Sequence, residues 1–252
     1  VSVVIPVKDD DRELRRCLTA LEAQSLRPDE IIVVDNRSAD DSADVARDAG
    51  ARVIRCDTPG IPAAASRGYD AAHGDVILRL DADCIPAAEW VEVMVDAFQR
   101  RPDVAAFTGG AAFIDGPPRL RGVAAAAYLG SYLAVGFAAL GHPPLFGSNL
   151  AFRRDAWNEV RRGVHRLDAR VHDDLDLAFH LGERHRIALV TGTTMGISMR
   201  PFFDARSFRR RLARGFHTVI SHWPHDFPPI RWERRLLRRL VRRRRHLEAV
   251  SS

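Results

Sequence analysis

The sequence predicts an α/β fold with a mostly parallel central sheet and helices on both faces, and three observations predict it. β-branched runs recur through the first eighty residues, leucines and alanines at helical spacing separate them, and Gly50 and Gly74 close two of those helical segments. Strand, helix, strand, helix, strand in that order requires right-handed crossovers, which lay the strands parallel and cover the sheet on both sides. A chain of 252 residues that is 46% hydrophobic has enough apolar surface for a sizeable core.

The first strand is VSVVIPV, followed behind Asp10 and Asp11 by a helix carrying Leu14, Cys17, Leu18 and Leu21 on one face. EIIVVD gives the second strand and ADDSADVARDAG the second helix; ARVIRC, IPAAASRGYDAAHG and DVILRLDAD continue the alternation. AAEWVEVMVDAFQRRP reads as a helix stopped near Pro102, and VAAFTG and GAAFI as two strands before the turn DGPPR. Gly122 to Gly141 then carries no charge and has the length of a membrane span. Its alanines and glycines make insertion weak, so a buried or interfacial helix is expected. LFGSNLAFRR, a helix from Asp155 to Val160, the segment HDDLDLAFHLGERH and the strand RIALVTGTTMGISM complete the body. In the tail, Trp232, Leu236, Leu237, Leu240, Val241 and Leu247 share one face among arginines, the pattern of an amphipathic cationic helix.

Charge is divided along the chain. Fifteen arginines against four acids follow residue 199, so the basic excess of +5 lies in the tail and the body is acidic. Nucleic acid is therefore not the expected partner, because an acidic body repels phosphate. Cys17, Cys56 and Cys84 are odd in number and widely spaced, which excludes a disulfide framework and a zinc knuckle. With no basic leader ahead of the first apolar run, a reducing cytoplasm is the expected compartment.

In an open parallel sheet, ligands gather at the carboxyl ends of the strands. Asp35 ends the second strand, where a carboxylate can accept from a ribose hydroxyl or a nucleobase N–H. Asp81 and Asp83 end the fourth, and two positions apart on an extended chain they face the same way and repel unless a cation intervenes. Carboxylate oxygens suit Mg²⁺ or Mn²⁺, whose shell is commonly completed by substrate phosphates, and a metal with a diphosphate implies a nucleotide substrate. A D-x-D by itself is weak, since acids at strand ends are often solvated turn residues.

Five ordered motifs supply the context: VSVVIPVKDD, VVDNRSADDS, ASRGYDAAHGDVILRLDAD, GSNLAFRRDAW and DDLDLAFHL. Over residues 1 to about 180 the sequence resembles the family-two inverting glycosyltransferases, which have the GT-A fold of nucleotide-diphospho-sugar transferases. The resemblance implies a single GT-A domain, its nucleotide-sugar half at 1–115, an acceptor half at 116–200 and an Arg-rich helical tail at 201–252. It makes Pro6, Val7, Lys8 and Asp35 the nucleoside pocket, and it puts Ser66 and Gly68 beside the diphosphate. Asp81, Ala82 and Asp83 become the sugar-phosphate site, with Asp81 and Asp83 holding Mn²⁺ or Mg²⁺. Asp174 takes the place of the catalytic base, preceded by Asp173 where glutamate is common. Lys8 and Asp9 replace an aromatic residue and an asparagine, and Ser66 an asparagine, departures that bear on which nucleotide is bound.

The chemistry follows from general principles, because a sugar hydroxyl is a poor nucleophile until a positioned base takes its proton. Asp174 is the expected base, although acids in a helix's first turn also complement its dipole without doing anything else. The diphosphate leaving group needs positive charge, which a divalent ion supplies. Transfer to a hydroxyl acceptor in envelope-glycan or glycolipid synthesis is the expected function, non-processive because Gly215 stands where processive relatives carry tryptophan. The tail is the expected contact with an anionic membrane, holding the chain at its inner face. Asn149 is a weaker candidate for a substrate hydroxyl, as are His217, His222 and His225 for the metal shell. A haloacid-dehalogenase-like phosphatase and a non-catalytic nucleotide-sugar scaffold are the alternatives. A dehydrogenase is excluded, since no glycine follows the first strand.

Overall fold

The computed structural model describes residues 1–117, 119–199 and 205–237. The first half is as the alternation predicts: β1 Ser2–Val7, β2 Glu30–Asp35, β3 Arg52–Arg55 and β4 Val76–Arg79 run parallel in the order β3-β2-β1-β4. Three helices connect them, α1 Asp11–Glu22, α2 Ser42–Asp48 and α3 Ile61–Ala71. All six residues of β1 are buried, as a central parallel strand requires. Val3, Ile5 and Val7 join the core on one face and Val4 the core on the other, the two-residue alternation of a strand.

The second half changes direction. β5 Ile85–Pro86, α4 Trp90–Arg100, β6 Ala106–Phe113, α5 Arg121–Leu140, β7 Leu150–Arg153, α6 Arg154–Val160, α7 Asp173–Arg184, β8 Ile187–Ile197 and α8 Ala205–Ser221 follow in the chain. Across the sheet the order continues β4-β7-β6-β8-β5. β7 is antiparallel to both β4 and β6, so Arg79 at the end of β4 is paired with Leu150 at the start of β7. That reversal brings the GSN loop beside the D-x-D segment. The two strands expected at VAAFTG and GAAFI form one, β6, with a register shift between Thr108 and Gly110. A Cβ on Gly109 would fall 2.3 Å from Asn149 Nδ2, so this bend needs glycine.

The uncharged helix α5 is not a core helix. Only Ala125, Gly136 and Leu140 are buried, and Val123 and Val135 are each 72% exposed. Among the described residues it is the one helix long and apolar enough to cross a membrane. The described part of the tail, helical over 228–237, is anchored on the domain. Arg231, 2% exposed, donates to the carbonyls of Leu140 and Phe179 at 3.0 and 2.7 Å and pairs with Asp226 at 2.9 Å. Trp232 donates to Ala138 O at 3.0 Å and meets Phe137 edge-on. Leu240, Val241 and Leu247 of the expected apolar stripe lie outside the described residues.

Candidate active site

β4 delivers Arg79 and Asp81 to the carboxyl edge of the sheet, and the chain then turns, with Cys84 N–H donating to Asp81 O at 3.1 Å. This turn, and not an extended strand, brings the carboxylates together: ligand atoms of Asp81, Asp83 and Cys84 lie within 4.8 Å of one another. Burial first, and then the charges of Asp81 and Asp83, push the Cys84 thiol well above its ordinary pKa; a soft sulfur is in any case a poor match for a hard, oxygen-seeking ion. The remaining donors are hard carboxylates, which fit Mg²⁺ or Mn²⁺. Asp81 is engaged on both oxygens, by Arg79 Nη2 at 2.9 Å and Ser148 Oγ at 2.7 Å. Both donors fix the orientation of the Asp81 carboxylate and still leave lone pairs on each oxygen.

Arg79 joins the two motifs. Its side chain is 3% exposed and reaches Asp173 Oδ2 at 3.3 Å as well as Asp81. Burial works against its charge, but the carboxylates of Asp173 and Asp81 outweigh that and hold the guanidinium firmly protonated. Gly147 is the residue that lets it pass, since a Cβ there would lie 1.9 Å from Arg79 Nη1 and 3.0 Å from Asp174 Oδ2.

Asp174, 8% exposed in the first turn of α7, is fixed by backbone donors. Gly147 N–H donates to Oδ2 and Leu175 N–H to Oδ1, each at 2.7 Å. The Tyr132 hydroxyl stands 3.3 Å from Oδ2 and 2.5 Å from Leu145 O. Asp173 differs: burial, opposed by Arg79 and reinforced by Asp174 and Asp81, pushes its pKa up to about 6.

The loops after β1 and β2 form the other side of the edge. Val7 is in register with Asp35, and Asn36 N–H donates to Val7 O at 2.8 Å. The side chains of Pro6 and Val7 are buried and that of Lys8 is exposed at the rim. Asp35 Oδ1 accepts from Ser38 N–H at 2.9 Å, closing the turn at Arg37, whose φ is +64°. Asn36 is buried and holds the 56–60 loop through Cys56 O, Thr58 O and Gly60 N–H at 2.9, 2.7 and 2.8 Å. Ala82 is buried. Ser66 lines a small cavity with Asp173, Tyr69 and Trp157. Gly68 faces the sheet, where a Cβ would fall 2.3 Å from Val4 Cγ1, so its lack of a side chain serves helix–sheet packing.

The weaker candidates lie elsewhere. Asn149, wholly buried, accepts from Trp90 Nε1 and donates to Gly110 O, at 2.8 and 2.7 Å, and so holds the bend of β6. His217 pairs with Asp168 at 2.8 Å, His225 is exposed, and His222 belongs to a separate buried cluster. Among the described residues no histidine joins the Asp81–Asp83 group.

The sequence profile of glycosyl transferase family 2 matches residues 2–161, more than half of the chain. The chain belongs to glycosyl transferase family 2. Similar curated proteins include glycosyltransferase AglE of Haloferax volcanii, 32% identical over 36% of this chain and 33% of its own length. An undecaprenyl-phosphate 4-deoxy-4-formamido-L-arabinose transferase of Pseudomonas syringae is 34% identical over 41% of this chain and 34% of its own. This chain thus matches about a third of the length of those relatives. The mannosyltransferase PcManGT of Pyrobaculum calidifontis, solved with GDP-Man and Mn²⁺, superposes over 91% of this chain and 67% of its own with a TM-score of 0.64 at 20% identity. Glucosyl-3-phosphoglycerate synthase of Mycobacterium tuberculosis, solved with Mn²⁺, UDP and phosphoglyceric acid, covers 87% and 77% with a TM-score of 0.59 at 21% identity. These likenesses show the GT-A fold. A phosphatase of the haloacid-dehalogenase type has no place in this family, and Asp81, which would be its nucleophile, is already held by Arg79 and Ser148.

Sequence reading of the family-2 domain missed Arg79, Gly147, Ser148 and Tyr132. For Arg79 a signal existed: a lone arginine within the apolar run VILRL has to find carboxylates once buried.

Proposed function

We propose that the chain transfers a sugar from a nucleoside-diphosphate donor to a hydroxyl acceptor in one displacement that inverts the anomeric carbon. One observation carries this reading: Arg79 ties the donor-side Asp81 to Asp173, whose neighbour Asp174 is the acceptor-side carboxylate, so both halves of a transfer meet in one site. Asp35 and the loops after β1 and β2 would take the nucleoside, with Pro6 and Val7 as the floor, Lys8 at the rim and Ser66 beside the diphosphate. Asp83, supported by Asp81, would hold the Mg²⁺ or Mn²⁺. A bound divalent ion neutralises charge on the diphosphate as it leaves. Asp174 accepts the acceptor's proton. Its backbone donors hold the carboxylate in place and leave lone pairs unused, since a carboxylate offers about four. A second reading gives the proton to Asp173, because a base poised near neutrality is better matched to the task.

A role in lipid-linked or envelope glycan synthesis is supported by the undecaprenyl-phosphate sugar transferase among the relatives, and the surface supports a lipid-borne acceptor. Phe137 of α5 meets Trp232 of the basic tail, and Val123 and Val135 are exposed farther along the same helix. A peripheral site on an anionic leaflet suits that combination. Co-sedimentation with anionic vesicles that weakens with salt is expected, and no binding at low salt would refute it. Turnover tests the main reading and separates it from a non-catalytic scaffold. With Mn²⁺ present, one or more of a panel of UDP-, GDP- and dTDP-sugars should release nucleoside diphosphate; release from none would sink it.

A further inference from the structure

Behind α7 lies a second group of side chains able to ligate a metal, one to which the proposed transfer gives no part. Asp176 and His180 are four residues apart on α7 and so share one face; His165 enters from the loop before it and His222 from the end of α8. One ligand atom from each lies within 4.8 Å of all the others. Asp176 is 2% exposed and His222 8%. The three imidazoles converge, with ring centroids 5.0 to 5.8 Å apart.

We propose that His165, Asp176, His180 and His222 form a structural Zn²⁺ site that ties the 161–172 loop and the end of α8 to the helix bearing Asp173 and Asp174. The protonation pattern is the main argument. His222 Nδ1 lies 2.8 Å from Thr218 O, a contact only an N–H can make favourably, so in the neutral ring Nε2 carries the lone pair. That lone pair faces Asp176 Oδ1 at 3.3 Å, outside hydrogen-bond geometry, and Nε2 is buried with no hydrogen-bond partner. His180 Nε2 is likewise buried without one, 3.6 Å from the same oxygen. A ring nitrogen set against a carboxylate without a hydrogen bond leaves both groups unsatisfied, and a cation between them would bond to both. A histidine whose other ring nitrogen donates to a backbone carbonyl is also how proteins orient zinc ligands.

The remaining contacts complete the set. His165 Nδ1 is 2.6 Å from Asp176 Oδ1, and His165 N–H fixes Oδ2 at 2.8 Å, so the carboxylate presents one oxygen to three imidazoles. Metal–ligand bonds of about 2.0–2.1 Å in a tetrahedron separate ligand atoms by about 3.3 Å; Asp176 Oδ1 already lies 3.3 and 3.6 Å from His222 and His180, whereas His165 would have to move outward from 2.6 Å. Three imidazoles and one carboxylate suit zinc better than Mg²⁺, which prefers oxygen. Four protein ligands leave no open position, the mark of a structural site.

The site can be tested without any substrate. The full chain, with any affinity tag removed, is stripped with chelator and titrated with Zn²⁺, and separately with Co²⁺, whose intense visible absorption reports tetrahedral coordination. The expected result is one tight equivalent of zinc, a tetrahedral cobalt spectrum and a rise in Tm on loading. Asp83→Asn should leave all three unchanged, which separates this site from the D-x-D group. His180→Gln and His222→Gln should each weaken zinc by more than the roughly 10–100-fold that loss of a supporting contact costs. Should either variant fail to fold, His165→Gln, with its ring at the rim, and the wild-type cobalt spectrum still decide. Absence of a tetrahedral cobalt spectrum in the wild-type chain, or zinc binding undiminished in the folded histidine variants, would overturn the proposal and leave a plain His–Asp polar cluster.

Discussion

Asp83→Asn is expected to lower turnover by about 10³-fold or more and to remove the Mn²⁺ dependence of donor binding. The magnitude follows from the several kcal/mol that a divalent ion contributes to a developing anion, at about 1.4 kcal/mol for each tenfold in rate. Asp83 is the chosen target of the pair, because loss of Asp81 would also release Ser148 and Arg79, which reaches Asp173. Donor titrations with Mn²⁺ and with EDTA check the binding, and steady-state release of nucleoside diphosphate checks the rate. A variant that kept wild-type affinity and rate in EDTA would show that no metal acts at this turn.

Asp174→Asn should behave differently in kind. In the proposed reading its carboxylate serves the acceptor, so donor affinity should stay near wild type while kcat falls by roughly 10²–10⁴-fold, the span typical of losing a general base. Equal losses in donor affinity and kcat would point to a structural role, one that the hydrogen bonds from Gly147 and Leu175 also allow. Asp173→Asn is the necessary partner. If Asp174 is the base, this variant keeps kcat within about tenfold; if Asp173 is, it takes the larger loss and abolishes the fall in rate below pH 6. Stability supplies an independent readout. The folded pKa of Asp173 is raised to about 6 from an unfolded value near 4, so its contribution is present below about pH 4 and is lost as pH rises through 6. Asp173→Asn should therefore raise Tm at pH 7.5 and cease to differ from wild type at low pH.

Much of this was legible in the sequence because it depends on local pattern. The β-branched strand VSVVIPV, the Leu14–Cys17–Leu18–Leu21 face and the parallel first four strands all follow from local composition and residue spacing. What escaped depends on tertiary pairing. Nothing local says that β7 inserts antiparallel between β4 and β6, yet that pairing sets Ser148 against Asp81. Arg79 lies 94 residues before Asp173, and His165 is 57 before His222, separations over which spacing carries no information. For α5, composition excluded neither a buried nor an interfacial position; the exposure of Val123 and Val135 decided against the core.

Single displacement by a carboxylate-activated hydroxyl is the central claim, and the anomeric configuration of the first-formed product tests it most directly. Proton NMR during turnover of an α-linked nucleotide sugar with Mn²⁺, using whichever acceptor is consumed or water in its place, reads that configuration before mutarotation. A β-configured product is the predicted result. An α-configured product would contradict single displacement, because retention needs two displacements or return of the nucleophile to the face the leaving group has left.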